Sequence, residues 1–418
     1  FLVDETGILS IEDVSSPLVG HQWFKSRELN PAFGFTKSVY WVRFSVLNDT
    51  GKDISFFLEH AYALVDDIRL YQRQKKGFSV IRAGDYLKYR ERPYDHRTFV
   101  FPLSCPPHAE MTYYLRQETS SAMYFPLLVW SPDSFISWAL QEDKLLMFFY
   151  GMMIIMAFNY LCVYFLIRHL SYLYFSLFIL SLLLFIMTQI GATYQIIMPG
   201  SPALANVAPP FFLCLANLFG NRFVIIFLQL GKHAPRLKKL VNLEAAIILC
   251  ALALVPLIPV FGIYTVIMAG TASLSVASIF TAFGAGVLLL WRKERSRYIF
   301  TFISTGFFIG SILYLMRSFG VLPGNFVTTW SIVIGSSTIL IVLSIAMVDR
   351  INMMRMGLKK LVGNIGKEVT ERSIELLLSE VAGKVIEEQS GGRPSVETKG
   401  IDAALIQSLL DYQRDLTI

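Results

Sequence analysis

Three textures of apolar and polar positions follow one another along the chain. Through residues 1–140 the apolar positions come in short alternating or aromatic-rich runs: SVYWVRFSVL, ISFFLEHAY, DDIRLYQRQ, FSVIRAGDY, RTFVFPLS, MTYYLRQE and YFPLLVW. Turn-rich NDTGKD, QKKG and CPPHAE lie between them. In VYWVRFSVL, Tyr40, Val42, Phe44 and Val46 share one face while Trp41, Arg43 and Ser45 share the other, the period of a strand. Seven or eight such strands without a convincing amphipathic helix predict an all-β sandwich, and the segment is long enough for its own core.

Residues 145–348 are almost continuously apolar. A helix needs roughly 20 apolar residues to cross a ~30 Å hydrocarbon layer, and Leu145–Ile167, Tyr172–Ile190 and Val207–Leu230 each meet that length. Ala245–Leu290 would be a rod of about 69 Å at 1.5 Å per residue, so Pro256, Pro259 and Gly262 are read as a turn between two spans. Tyr298–Met316 and Phe326–Val348 bring the expected count to seven. From Asp349 the pattern turns mixed but stays helical. Ile351, Met354, Leu358, Leu361 and Ile365 recur at the three-four spacing of a coiled-coil seam. Val369 breaks that alternation, and Ile374, Leu378, Val381 and Val385 resume it at a shifted phase, as a stutter does. The expected organisation is an outer sandwich over 1–140, a seven-helix bundle over 141–349, a cytosolic coiled-coil signalling helix over 350–390, and a linker with a short tail over 391–418.

Charge orients this plan. Connections on one side carry Arg168; Lys232, Arg236, Lys238 and Lys239; Arg292, Lys293, Arg295 and Arg297; and Arg350, Arg355, Lys359 and Lys360. The opposite connections carry only the neighbouring Arg317. Basic residues near span ends stay cytoplasmic, so the sandwich is expected outside and the tail inside a bacterial inner membrane. The net charge of +6 therefore reflects topology, and the tail itself holds 10 Lys/Arg against 11 Asp/Glu. Nucleic acid is not an expected partner. The opening FLVDET lacks an initiator Met and a signal-peptide pattern, which suggests a trimmed chain. Of four cysteines only Cys105 is in the outer segment, where it reads as a small buried hydrophobe.

Candidate chemistry is sparse. In the sandwich, Trp41 could stack on a sugar ring, and Arg90, Arg92, Arg97 and Arg116 could grip a carboxylate or phosphate; packing and a solvated surface are the competing readings. His96 and His108 lack ligand-like partners, so no metal and no cofactor are expected. In the bundle, Arg222 is expected to snorkel or face inward, and Asn217, Asn221 and Gln229 to bond between helices. Glu244 is expected at the cytosolic interface, solvated or beside Lys238 and Lys239.

YWVRFSVLN, LVDDIRLYQ and TYYLRQETSSAMYFPLLVW resemble the extracellular jelly-roll-like domain of the bacterial seven-transmembrane receptors with diverse intracellular signalling modules. SYLYFSLFILSLLLFIMTQIGATYQII and FGVLPGNFVTTWSIVIGSS leading to LSIAMVDRIN resemble that family's second and seventh spans, the latter ending in Asp349-Arg350. The family pattern often places Glu in the last span where this chain has Ile339. The resemblance implies a receptor: an outer domain binding carbohydrate or another small ligand, and a bundle relaying occupancy to a kinase, cyclase or phosphatase output. The tail offers no phospho-accepting His, because every histidine lies at or before His233, and no nucleotide loop. The chain itself is thus not expected to be an enzyme. Either an output domain follows in a longer chain or a cytosolic partner reads a homodimeric helix pair. The expected relay residues are Arg222, Asp349, Arg350, Ile351, Met354, Leu358, Leu361 and Ile365. A transporter or channel subunit with an accessory domain, and a membrane-anchored lectin, are the competing classes.

Overall fold

The computed structural model describes residues 1–26, 28, 30–74, 76–290 and 295–390. Among these residues, ten strands build the outer part: β1 Leu2–Asp4, β2 Ala32–Phe35, β3 Val39–Asn48, β4 Ile54–His60, β5 Asp67–Arg73, β6 Phe78–Ala83, β7 Phe99–Cys105, β8 Ala109–Glu118, β9 Ala122–Tyr124 and β10 Leu127–Trp130. They form a sheet ordered β1-β3-β8-β5-β6, a second ordered β10-β4-β7, and a β2-β9 pair, with neighbours antiparallel. The alternation in β3 is realised. Tyr40 and Val42 enter a core with Phe56, Leu58, Ile68, Phe99, Phe101 and Leu115, against which Phe44 and Val46 pack. Cys105 is buried in that core. Trp41, on the other face, is covered by a segment the strand pattern gave no reason to expect. This is α1 Ile11–Ser15, capped by Ser10 and Asp13, whose Ile11 and Val14 pack with Leu2, Val39 and Tyr114 against the indole.

The helices that follow are α2 Pro132–Ile167, α3 Leu170–Ile190, α4 Pro202–Phe227, the short α5 Leu230–His233, α6 Pro235–Leu254, the short α7 Ile258–Phe261, α8 Tyr264–Leu290, α9 Arg295–Ser318 and α10 Phe326–Ser390. Among the described residues, α2, α3, α4, α6 with its continuation to Leu257, and α8 are long and apolar enough to cross a membrane. The expected spans are helical, except that the third ends at Phe227 and not Leu230. The expected turn at Pro256–Gly262 is a 3-10 turn followed by α7, closed by Gly262 at φ 60°. α4 begins before the expected span and runs through Pro209 and Pro210, both buried. Proline lacks the N–H that would bond four residues back, so Ala205 and Asn206 lose their usual intrahelical partners; such breaks persist where neighbouring helices enclose them.

Residues 1–345 form one compact unit and 346–418 a second. In the second, the backbone is helical through Ser390, and Leu358, Leu361, Val362, Ile365, Leu376 and Leu378 are exposed, with Leu361 57% and Val362 67% accessible. The anticipated linker and short helix beyond Ser390 lie outside the described residues.

Candidate functional site

The four arginines and Trp41 do not converge. Trp41 is 0% exposed, its ring stacked on Tyr71 at 5.7 Å, so of its two readings the packed one holds and the indole offers no exposed platform for a sugar. Arg116 lies across the sheet from the sandwich core. It meets Asp67 at 3.4 Å and Glu118 at 2.9 Å, and Asp67 also holds Arg69 and Arg82. Arg90 is exposed on the loop before β7. Arg92 and Arg97, by contrast, are buried where the sandwich meets the helices. Arg92 donates to the carbonyls of His96 and Arg97 at 2.9 and 2.8 Å, and its guanidinium lies over Tyr89, Phe99 and Tyr194. Arg97 pairs with Glu142 near the outer end of α2, with Asp143 at 3.6 Å. These two arginines therefore fasten the outer domain to the bundle.

Around that fastening, buried titratable groups cluster. Glu59 accepts from Thr98 at 2.7 Å and from Trp130 Nε1 at 2.9 Å, and burial raises its pKa above the ordinary carboxylate value despite both bonds. His96 bonds Thr98 at 2.7 Å; burial, then the charges of Arg97 and Arg92, push it down to about 3. Asp85 is raised well above the usual range by burial and by Asp66 beside it. With its amide nitrogen turned toward the carboxylate, Asn206 of α4 donates to both Asp85 oxygens, at 3.1 and 3.2 Å.

The outer loops of the bundle contribute further contacts. Tyr194 donates its hydroxyl to the Leu87 carbonyl, and Thr265 donates to the Ser120 carbonyl at 2.7 Å. A Cβ on Gly191, at φ 88°, would lie 2.6 Å from both the Ala63 Cβ and the Arg97 carbonyl oxygen. A backbone-to-backbone seat joins β2 to the loop after α9. A Cβ on Gly34 would lie 2.8 Å from the Phe319 carbonyl oxygen, and one on Gly320 would lie 2.9 Å from the Gly34 nitrogen. Asn30 donates to the Gly324 carbonyl at 3.1 Å, and Phe35 meets Phe319 edge-on at 5.7 Å. Only glycine fits this approach, since both residues hold a positive φ and face backbone.

From that seat α9 runs to a second close crossing. A Cβ on Gly310 would meet the Ser331 carbonyl and sit 2.9 Å from Gly335 Cα, and one on Gly306 would strike Thr338. The spacing TGFFIGS is a small-xxx-small contact between α9 and α10. It was open to sequence inspection and not singled out there.

Inside the bundle, Asn217 donates to Ser275 at 2.7 Å and Asn221 to Ser278 at 3.3 Å, as the one-face spacing predicted. Gln229 does not join them; it occupies the left-handed position at φ 50° before α5. Arg222 is exposed and reaches Asn242 at 3.2 Å, a snorkelling geometry. Glu244 overturns its expected interfacial place. It is 6% exposed and accepts from Ser278 at 3.2 Å and Thr281 at 2.7 Å, because α8 presents hydroxyls where α6 carries the acid. Of the remaining relay residues, Leu358, Leu361 and Ile365 form an exposed apolar row. The side chains of Asp349, Arg350, Ile351 and Met354 lie outside the described residues, though the backbone there is helical.

Comparison with known families gives two matches. Residues 1–131 match the family described as 7TMR-DISM extracellular 2, and residues 142–350 match 7TM diverse intracellular signalling. No curated protein matches the chain.

Proposed function

Because the chain belongs to the 7TMR-DISM family of seven-transmembrane signalling proteins, we propose that it senses an extracytoplasmic small molecule, carbohydrate included, and relays occupancy through α9 and α10. It is a multi-pass membrane protein with an extracellular β domain and a receptor-like plan. In this reading it sits in the bacterial inner membrane with its C-terminal helix cytoplasmic. Two copies pair in parallel along Leu358, Leu361 and Ile365, and a catalytic output comes from a following domain or a separate cytosolic protein.

The observation that carries the reading is the glycine seat of Gly34 on Gly320, at the head of the helix that crosses α10 through Gly310 and Gly335. A displacement of β2 cannot be absorbed by side-chain rearrangement there, because backbone meets backbone. A coupling of roughly 1–3 kcal/mol between outer site and inner seam is sufficient for a switch. The exposed apolar row supports the pairing: such a stripe is unfavourable in water without a partner helix.

Inserting a Gly-Pro step after Arg350 tests the relay in a reporter strain. Lost signalling with intact membrane expression is expected; an unchanged response removes the mechanism. Cysteines placed at Met354 and Leu361 test the pairing by crosslinking to their counterparts. One observation favours the transporter alternative, the buried carboxylate of Glu244 inside the bundle. Its two hydroxyl partners already satisfy it, and retained signalling in Glu244→Gln separates a structural acid from a transport site.

A further inference from the structure

Arg317 combines three features. It is the basic residue beside the otherwise uncharged outer connections. It is only 8% exposed. Among the described residues no carboxylate lies within ion-pair distance of it, in contrast to Arg97 and Arg116. Its guanidinium rests 5.0 Å from the Tyr124 ring centre and 5.4 Å from that of Tyr314, and its bond to Thr329 Oγ1 is long at 3.4 Å. Aromatic faces replace a counter-ion only in part, and a buried charge without one is strongly unfavourable.

A crevice opens beside it. Arg317 and Ser318 from α9 face Tyr62, Met123 and Tyr124 from the sandwich across a space that admits about one water-sized group. A pyranose ring does not fit there, so the crevice is distinct from any carbohydrate site. We propose that Arg317 and this crevice bind a small monovalent anion, either a free halide or the carboxylate tip of a solute. The anion supplies the missing counter-charge and lies between β9 and the outer end of α9. Binding of this kind follows from burial, charge and shape at the crevice and does not depend on the relay reading, although it places the anion within the same joint.

The full chain in lipid nanodiscs provides the test, by thermal unfolding at constant ionic strength so that general screening is held fixed. Chloride, bromide or acetate replaces methanesulfonate, whose tetrahedral head is too bulky for the crevice. A saturable rise in the unfolding midpoint is expected with the binding anion. Response to chloride and bromide alone identifies a halide, and response to acetate identifies the carboxylate class. Arg317→Gln is expected to abolish the rise. Should that variant not fold, Ser318→Leu fills the crevice while keeping the charge, and is expected to weaken the response roughly tenfold. An unresponsive wild type, or an undiminished response in a folded Arg317→Gln or Ser318→Leu chain, overturns the site. Signalling assays do not enter, so failure here leaves the receptor reading to its own test.

Discussion

His60 closes β4 with no exposed surface, its Nε2 2.8 Å from Gln117 Oε1. Burial pushes its pKa down from 6.5 to about 4, so the folded state keeps the ring neutral while the unfolded state protonates it. The unfolded chain then binds the extra proton between those values, and the contribution of neutral His60 is fully present above 6.5 and lost as pH falls toward 4. Relative to His60→Leu, the wild type should lose on the order of 3 kcal/mol across that window. The gap between their unfolding midpoints should therefore narrow on acidification. Comparing the two proteins cancels the opposite trend of Glu59, Asp66 and Asp85, whose raised pKa values make the fold bind protons more tightly as pH drops. At this scale the sequence was informative about side-chain direction and poor about surroundings. A period of two placed Trp41 opposite Tyr40 correctly, but could not reveal that α1 folds over that face. Trp41→Ala should accordingly cost about 3–5 kcal/mol in stability, read by denaturant unfolding. A selective loss of ligand binding in an equally stable variant would show that the indole is not core.

Among the elements, α9 and α10 depend on how closely their backbones approach. Gly310→Leu places a branched side chain where Gly335 Cα and the Ser331 carbonyl now sit, so the helices must separate. We expect a lower unfolding midpoint and loss of the reporter response, whereas Gly357→Leu, with open space around its Cβ position, should leave the midpoint unchanged. The spans themselves were legible, because hydrophobic length is a sufficient signal for a membrane helix, and two prolines with a glycine marked the turn at 255–262. Helix limits were less so. The third span was expected to start at Val207, yet the helix begins at Pro202, where proline suits the first turn. Polar partners were legible as faces and not as pairs: Asn217 and Asn221 bond between helices as expected, to α8, and Glu244 bonds to α8 too, against expectation. Ile339, standing where the resembling family pattern has Glu, is buried in the apolar centre of the bundle.

For the whole molecule, what matters is that the sandwich is seated on the helices and not merely tethered to them. The sandwich is held by Arg97 on α2, Asp85 on α4, Ser120 on α8 and Gly34 beyond α9. Gly320→Val should break the last of these while sparing the others. A chain that still inserts but no longer responds is expected, scored by the reporter alongside protease resistance of the outer domain. The step from an extracellular β domain to membrane helices could be read from hydropathy alone. The docking could not, since it joins residues hundreds of positions apart through carbonyls and glycines that carry no sequence pattern of their own. The paired prolines of α4 have a mechanical consequence for this seating. Two rungs of the helical ladder are absent just below Asn206, the residue that grips Asp85. Bending is easiest there, so the top of α4 can tilt with the sandwich as on a swivel while Asn217 and Asn221 stay pinned to α8 beneath it.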